Sequence, residues 1–295
     1  MIPNRFSYHA PSSADEVART LGSDPEGCAV LGGGTWLIAQ LNRGQRVARH
    51  VVDLRRAGLR EVERHDGRIR IGATATYADL IASDLVAADC SLLAAMAARI
   101  TGGRQLHHQG TFAGSLAYAR PASDAPAASL ALSATMLVQG PGGTRAVPAE
   151  EFFVDAHRTT MAPDEFLRAV DVPVHASAGS GYVKIKATEG SWPVATAAAV
   201  VELDRDGRCR RACAAVGGVT AVPFRLPVQT VLEGRRVDAD ALAEVSRMAG
   251  DAITDPWSDV LASGEYRRAV APVVARRALA AAVADAEATA DARKG

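Results

Sequence analysis

Two glycine-rich segments carry the residue types best suited to chemistry in this chain. The first, Gly32-Gly33-Gly34-Thr35, follows the short apolar run Cys28-Ala29-Val30-Leu31 and precedes Leu37, Ile38 and Leu41 at helical spacing. A glycine turn between a strand and a helix presents bare backbone N–H groups where the helix dipole is positive, which suits a phosphate. Taken alone, such a turn serves equally well as a tight bend with nothing bound. It is not GxGxxG, and no Gly-Lys-Ser/Thr follows to make it a Walker loop. The second segment, Gln109-Gly110-Thr111-Phe112-Ala113-Gly114-Ser115, again mixes glycines with hydroxyls. It offers N–H and O–H donors to a second phosphate of one dinucleotide.

Further on, Pro121-Ala122-Ser123-Asp124-Ala125-Pro126 places a carboxylate in a Pro-bounded loop. Asp124 there either accepts hydrogen bonds from ribityl or ribose hydroxyls or caps the helix beginning near Pro126, and both roles can hold together. Trp192, followed by Pro193 at the entry to an apolar strand, either covers a sheet edge or lies beside a bound ring. Lys184, on a strand, reads as a solvated outward residue, and His107 and His108 read as loop residues beside the second turn. The four cysteines, Cys28, Cys90, Cys209 and Cys213, form no CxxC or Cys/His set, so no metal site is expected. Cys209 and Cys213 lie on an alternating segment where they would share one face and pack as small half-buried residues.

These residues need elements to position them. A length of 295 residues predicts two or three compact units. Hydrophobic residues make up 48% of the chain and aromatics only 5%, so the core must be built from Ala, Val and Leu. Lys plus Arg equal Asp plus Glu at 33 each, which removes the bulk electrostatic case for nucleic acid or an anionic membrane. No run approaches the roughly 20 apolar residues of a membrane span, and Met1 to Ala10 lack a signal-type stretch. A soluble, cytoplasmic setting is the expectation.

The first unit, residues 1–58, reads as a small β-α-β, with Cys28–Leu31 and Val51–Leu54 as strands around a crossover helix. From Leu59 a hairpin turning at His65-Asp66-Gly67 opens a larger α+β unit, residues 59–174. It holds helices at Tyr77–Ala82 and Leu92–Ile100, the latter stopped by Gly102-Gly103, then a helix near Ala125–Ser133 and a strand Thr135–Gln139. A Gly140-Pro141-Gly142-Gly143 turn and a strand Phe166–Val172 complete it. His175–Gly181 is the linker candidate. A C-terminal α+β unit, residues 180–287, follows, with strands Tyr182–Lys186, Ala195–Leu203 and Cys209–Val216 and helices Ala241–Met248 and Tyr266–Ala282. Residues 288–295 are expected to be a frayed tail.

Several segments appear together in one order: Gly32 to Thr35, Leu54 to Leu59, Arg70 to Thr76, Gln109 to Ser115, Pro121 to Pro126, Ala149 to Phe153, Lys184 to Ala198, Asp255 to Asp259 and Glu265 to Arg268. In that order and spacing the chain resembles the FAD-binding medium subunit of molybdenum hydroxylases, the xanthine dehydrogenase and carbon monoxide dehydrogenase family. The resemblance covers essentially the whole chain and implies a two-part FAD domain followed by a smaller C-terminal α+β domain. It implies that Leu31, Gly32, Gly33, Gly34, Thr35 and Trp36 and the segment Thr111, Ala113, Gly114 and Ser115 surround the pyrophosphate. It further implies that Ser123 and Asp124 reach the ribityl region, and that Lys184 and Trp192 lie near the isoalloxazine. No residue is assigned a catalytic role, because the flavin ring does the redox chemistry. The implied partners are a molybdopterin-binding large subunit and a 2Fe–2S small subunit, from which FAD collects electrons for an external acceptor. The chain itself has no cysteine pattern for clusters. A self-sufficient FAD-dependent oxidoreductase with the same fold, or a scaffold without its cofactor, are the alternatives.

Two departures from the family pattern stand out. Trp36 replaces a small polar residue or Asp, and Ala113 replaces a Gly. After Lys184, Ala187, Thr188 and Ser191 stand where the family often has Arg residues and an Asp, so charge on the flavin's acceptor side is expected to be lost. Gly33→Asp is expected to weaken FAD binding while leaving the fold largely intact.

Overall fold

The computed structural model describes residues 2–292. Its first sheet is parallel, in the order Ser7–His9, His50–Asp53, Cys28–Leu31. Parallel pairing of the last two strands requires a crossover, which the helix Leu37–Asn42 supplies. The edge strand Ser7–His9 is three residues long and largely exposed, so it leaves no apolar pattern to read. The helix Ala14–Ser23 does have a signature in Ser13-x-x-Glu16: the Ser13 side chain accepts from the Glu16 backbone N–H, and Val17, Ala18 and Leu21 are buried.

The second sheet is antiparallel and five-stranded, in the order Val62–His65, Arg68–Gly72, Phe166–Pro173, Thr135–Gly140, Gly143–Pro148. The Asp66-Gly67 turn has φ of 47° and 71°, the left-handed backbone such a hairpin needs. Gly102 and Gly103, at φ 113° and 66°, follow the helix Ser91–Ala98 and open a further helix, Gly103–Gln109. His107 and His108 are therefore helical, not loop residues, and His107 Nε2 lies 2.9 Å from the Ile100 carbonyl.

The third sheet is antiparallel, in the order Gly179–Lys186, Pro193–Leu203, Cys209–Gly217, Phe224–Leu226. Helices Ala239–Asp251 and Gly264–Ala292 bury Val245, Ala249, Ala271, Ala278 and Ala282 in the core that covers it. The linker expected at 175–181 is only partly one, since its last residues belong to the first strand. A Cβ on Gly181 would lie 1.9 Å from the Ala278 carbonyl oxygen, and one on Gly179 would lie 2.1 Å from the Ala286 nitrogen. These glycines admit close approach of strand and helix. The expected frayed tail is helical through Ala292, and residues 293–295 lie outside the described part of the chain.

Cys209 and Cys213 do not share a face. A bulge opposite Glu202 and Leu203 inserts a residue between them. Cys209 joins the core beneath the helices, whereas Cys213 Sγ lies 4.0 Å from Ser133 Oγ, toward the second unit.

Candidate functional site

The two glycine segments meet. A Cβ on Gly33 would stand 2.0 Å from the Gln109 carbonyl oxygen and 3.1 Å from Gly110 Cα, so the first turn lies directly against the second. The Thr111 side chain sits between them: Gly114 N–H donates to its Oγ1 at 3.1 Å, and a Cβ on Gly32 would come within 3.3 Å of the same oxygen. Gly34 has φ 71°, a conformation glycine adopts at little cost.

The second segment is fixed from below. Thr111 pairs with Thr76 in an isolated bridge, Tyr77 N–H donates to the Gly110 carbonyl at 3.1 Å and Phe112 N–H to the Ala75 carbonyl at 3.3 Å. Thr76 in turn closes a reciprocal capping box with Asp79, which Arg60 grips with two nitrogens at 2.9 Å. The Tyr77 hydroxyl donates to Ser115 Oγ at 2.6 Å, and burial pushes the Tyr77 phenol well above its ordinary range.

A cleft of ≈ 330 Å³ opens above this contact. Gly32, Gly33, Gly34, Thr35, Trp36, Thr111, Ala113, Gly114, Ser115, Ser123 and Trp192 all line it. Its wall draws on residues in or beside three sheets, from Cys28 and Leu54 through Ala73 and Phe166 to Trp192. Leu31, Asp124 and Lys184 are not on the wall. Trp192 does not cover a sheet edge alone: it meets Trp36 edge-on at 5.9 Å between centroids, and Trp36 also packs on Tyr118 at 5.2 Å.

Asp124 does not cap the helix Ala125–Ala131 with its side chain. Its Oδ1 instead accepts from the Tyr182 hydroxyl and from Lys184 Nζ, the latter at 2.9 Å. Burial pushes the Asp124 carboxyl up, and Lys184 and Tyr182 offset only part of that. Lys184 is accordingly not the solvated residue its place on a strand predicts; it also donates to the Arg99 carbonyl at 2.5 Å and to Thr101 Oγ1 at 3.2 Å. The pair lies just behind the cleft, next in sequence to Ser123 on its wall.

Several wall residues carry little signal in the sequence. Tyr118 and Arg120 fall between Ser115 and Ser123, and the only signal is a ring and a cation breaking an alanine-rich run. Met161, Pro163 and Glu165 are distant in sequence and reach the cleft through the strand Phe166–Pro173. Arg120 places a cation on this wall, since its guanidinium carbon lies 4.6 Å from the Trp192 ring centroid and 5.4 Å from that of Trp36.

The cleft fits a dinucleotide with an aromatic end. The glycine turns bring bare backbone to the wall where phosphates would approach. Trp36 Nε1 and Arg120 Nε are buried donors on wall residues without an acceptor, and the indoles supply a ring-sized apolar face. Among the described residues no cluster of His, Cys, Asp or Glu could hold a metal ion, and no helix is long and apolar enough to cross a membrane.

Fold and cleft together define a flavin-binding α+β protein. Residues 4–175 match the FAD binding domain in molybdopterin dehydrogenase, and residues 180–282 match the CO dehydrogenase flavoprotein C-terminal domain. The chain belongs to the family of FAD-binding medium subunits of molybdenum hydroxylases, and is thus part of an FAD-dependent oxidoreductase. It is 32% identical over 284 residues to the carbon monoxide dehydrogenase medium chain of Hydrogenophaga pseudoflava, covering 96% of this chain and 98% of that one. It is 30% identical to the 6-hydroxypseudooxynicotine dehydrogenase complex subunit alpha of Paenarthrobacter nicotinovorans, covering 96% of each. Among solved structures, it superposes on reconstituted CO dehydrogenase from Oligotropha carboxidovorans with a TM-score of 0.91 at 33% identity, covering 97% of this chain and 100% of that one. Quinoline 2-oxidoreductase from Pseudomonas putida 86 gives 0.88 at 27% identity, covering 96% and 98%.

Proposed function

We propose that the cleft holds FAD with its pyrophosphate on the two touching turns, Gly32 to Thr35 and Thr111 to Ser115, and its isoalloxazine toward Trp36 and Trp192. The observation that carries this reading is the contact of Gly33 with Gln109 and Gly110, which brings the two turns side by side and supports their serving one ligand. Ser123 is the wall residue suited to the ribityl hydroxyls. Asp124 and Lys184 act behind it as a buried pair that fixes the loop and the third sheet relative to each other. Leu31 acts through its position at the strand end, ahead of the turn.

In this reading the chain works in a complex with a molybdopterin-binding large subunit and a 2Fe–2S small subunit. A bound flavin would supply the two-electron chemistry that links the clusters to an external acceptor. The chain's own residues bind the dinucleotide, orient its ring and set the charge around it. We place the complex in the cytoplasm, where the chain's four unpaired thiols suit a reducing environment.

Reconstitution tests the first part: the purified chain should take up FAD stoichiometrically, and a chain that takes up none ends the reading. Co-expression tests the second: pulling down the tagged chain with the products of adjacent genes should recover molybdenum and iron. Rapid turnover of a small organic substrate by the flavin-loaded chain alone would replace the subunit reading with a self-sufficient oxidoreductase.

A further inference from the structure

Arg120 differs from most other arginines in contact with the folded core. Arg55, Arg60, Arg64, Arg70, Arg145 and Arg267 each pair with a carboxylate. Arg120 has no such partner among the described residues, and its Nε is buried without an acceptor. It is held instead by two indoles, over which its guanidinium carbon lies at 4.6 and 5.4 Å. Aromatic faces orient a guanidinium and attract it, but they do not neutralise it. The one polar ring beside it, Tyr118, has its phenol pushed up to about 12 by burial, with Arg120 pulling the other way, so it too stays neutral. His157, stacked on Tyr118 at 4.7 Å, has its imidazole pKa lowered by burial and by the charge of Arg120, and supplies no anion. The result is a permanent, uncompensated cation on the wall of a cleft, whose complement must be negative.

Its neighbours say which part of a ligand that is. Thr111 caps the helix Phe112–Tyr118, and Ala119 ends it in left-handed backbone at φ 46°. Arg120 follows just beyond the end of that helix, on the part of the wall where the two indoles gather.

We propose that Arg120 is the counter-charge for the reduced flavin ring, an inference that rests on the FAD reading above. Reduction adds two electrons, delivered singly by iron–sulfur clusters, and one proton from water to the neutral oxidised ring, leaving one net negative charge. Arg120 transfers nothing. By favouring the anionic over the neutral ring it raises the midpoint potential of the bound flavin, and it favours any other anionic state of the ring, including the sulfite adduct.

The test uses the FAD-reconstituted chain, with sulfite titration followed by bleaching of the flavin absorbance and a dye-coupled midpoint measurement. The unsubstituted protein should hold FAD at a higher midpoint than free FAD and bind sulfite. Arg120→Gln should weaken sulfite binding by about tenfold or more and lower the midpoint, as loss of one nearby charge at partial burial implies. Arg120→Lys should restore most of both. Bound FAD in the unsubstituted protein with a midpoint at or below that of free FAD overturns the proposal, and this needs no variant. So does an Arg120→Gln protein that holds FAD with unchanged sulfite affinity and midpoint, the result expected if the adenine lies at this end. Failure of the unsubstituted chain to bind FAD is a separate result, and strikes the FAD reading itself.

Discussion

Lys184 sets its Nζ 2.9 Å from Oδ1 of Asp124, with 6% and 4% of the two side chains exposed. A buried ion pair is weak evidence for added stability, because two desolvation penalties oppose one attraction. Breaking it from one side is different, since the remaining charge is stranded. Lys184→Met is therefore expected to cost about 3–5 kcal/mol in urea unfolding. The double variant Lys184→Met with Asp124→Asn should recover a large part of that loss. Equal stability of the single and double variants would show that the two residues are not coupled.

Gly33 bears on both binding and folding. The expectation that Gly33→Asp spares the fold does not survive the geometry, because any Cβ there meets the Gln109 carbonyl at 2.0 Å. Backbone cannot yield as a flexible side chain does, so even Gly33→Ala should cost about 1–3 kcal/mol in thermal or urea unfolding. FAD affinity, measured by quenching of flavin fluorescence, should fall by more than about tenfold as the turns part. Gly190→Ala, where a Cβ meets nothing within 4 Å, is the control that should change neither.

The glycine turns were legible because strand, glycines and hydroxyls are a local pattern, and the cleft places them together. Arg120 was not, although it lies between the two segments Gln109 to Ser115 and Pro121 to Pro126. A cation's role depends on what surrounds it, and both indoles come from elsewhere in the chain. Glu165 is similar: the register pairing Phe166 with Gln139 brings it to the wall, and register is a tertiary property. Lys184 looked solvated because polar positions on strands usually are, but its strand faces the Arg99–Thr101 segment and Asp124. Gly179 and Gly181 have the composition of a linker, and only the helix lying against them shows that they are packing residues. The bulge that separates Cys209 from Cys213 likewise breaks the alternation on which their shared face was argued.

Acid should loosen one wall of the cleft. Glu165 accepts from Arg145 Nε at 2.8 Å and Nη2 at 2.7 Å, and from the Ala162 backbone N–H at 2.8 Å. The Arg145 hydrogen bonds, with help from Ala162 and against some burial, hold its carboxyl below its ordinary 4.5. A carboxyl lowered by folding contributes stability that is fully present above its unfolded value and lost as pH falls through its folded one. Urea midpoints followed downward from pH 4.5 should therefore drop more steeply in the unsubstituted protein than in Glu165→Gln. Parallel curves would mean that this pin contributes nothing to acid sensitivity.

Arg267 is bonded to the start of the strand that follows Trp192. Its side chain is fully buried, with Nη1 donating to the carbonyls of Val194 at 2.5 Å and Gly218 at 2.6 Å and Nη2 pairing with Asp259 at 2.5 Å. Val194 lies two residues beyond Trp192, at the start of the strand Pro193–Leu203, so the guanidinium fixes the point from which the indole projects. Arg267→Met fills similar volume but strands two carbonyls and a carboxylate, and should cost about 3–5 kcal/mol. Arg267→Lys keeps the charge without the fork and should cost less while still releasing one carbonyl. The readout specific to this arrangement is Trp fluorescence quenching on FAD addition at a temperature where both variants remain folded. If Arg267 positions the indole, quenching falls in both variants more than flavin affinity does, and if it serves stability alone, quenching per bound FAD stays at the unsubstituted value.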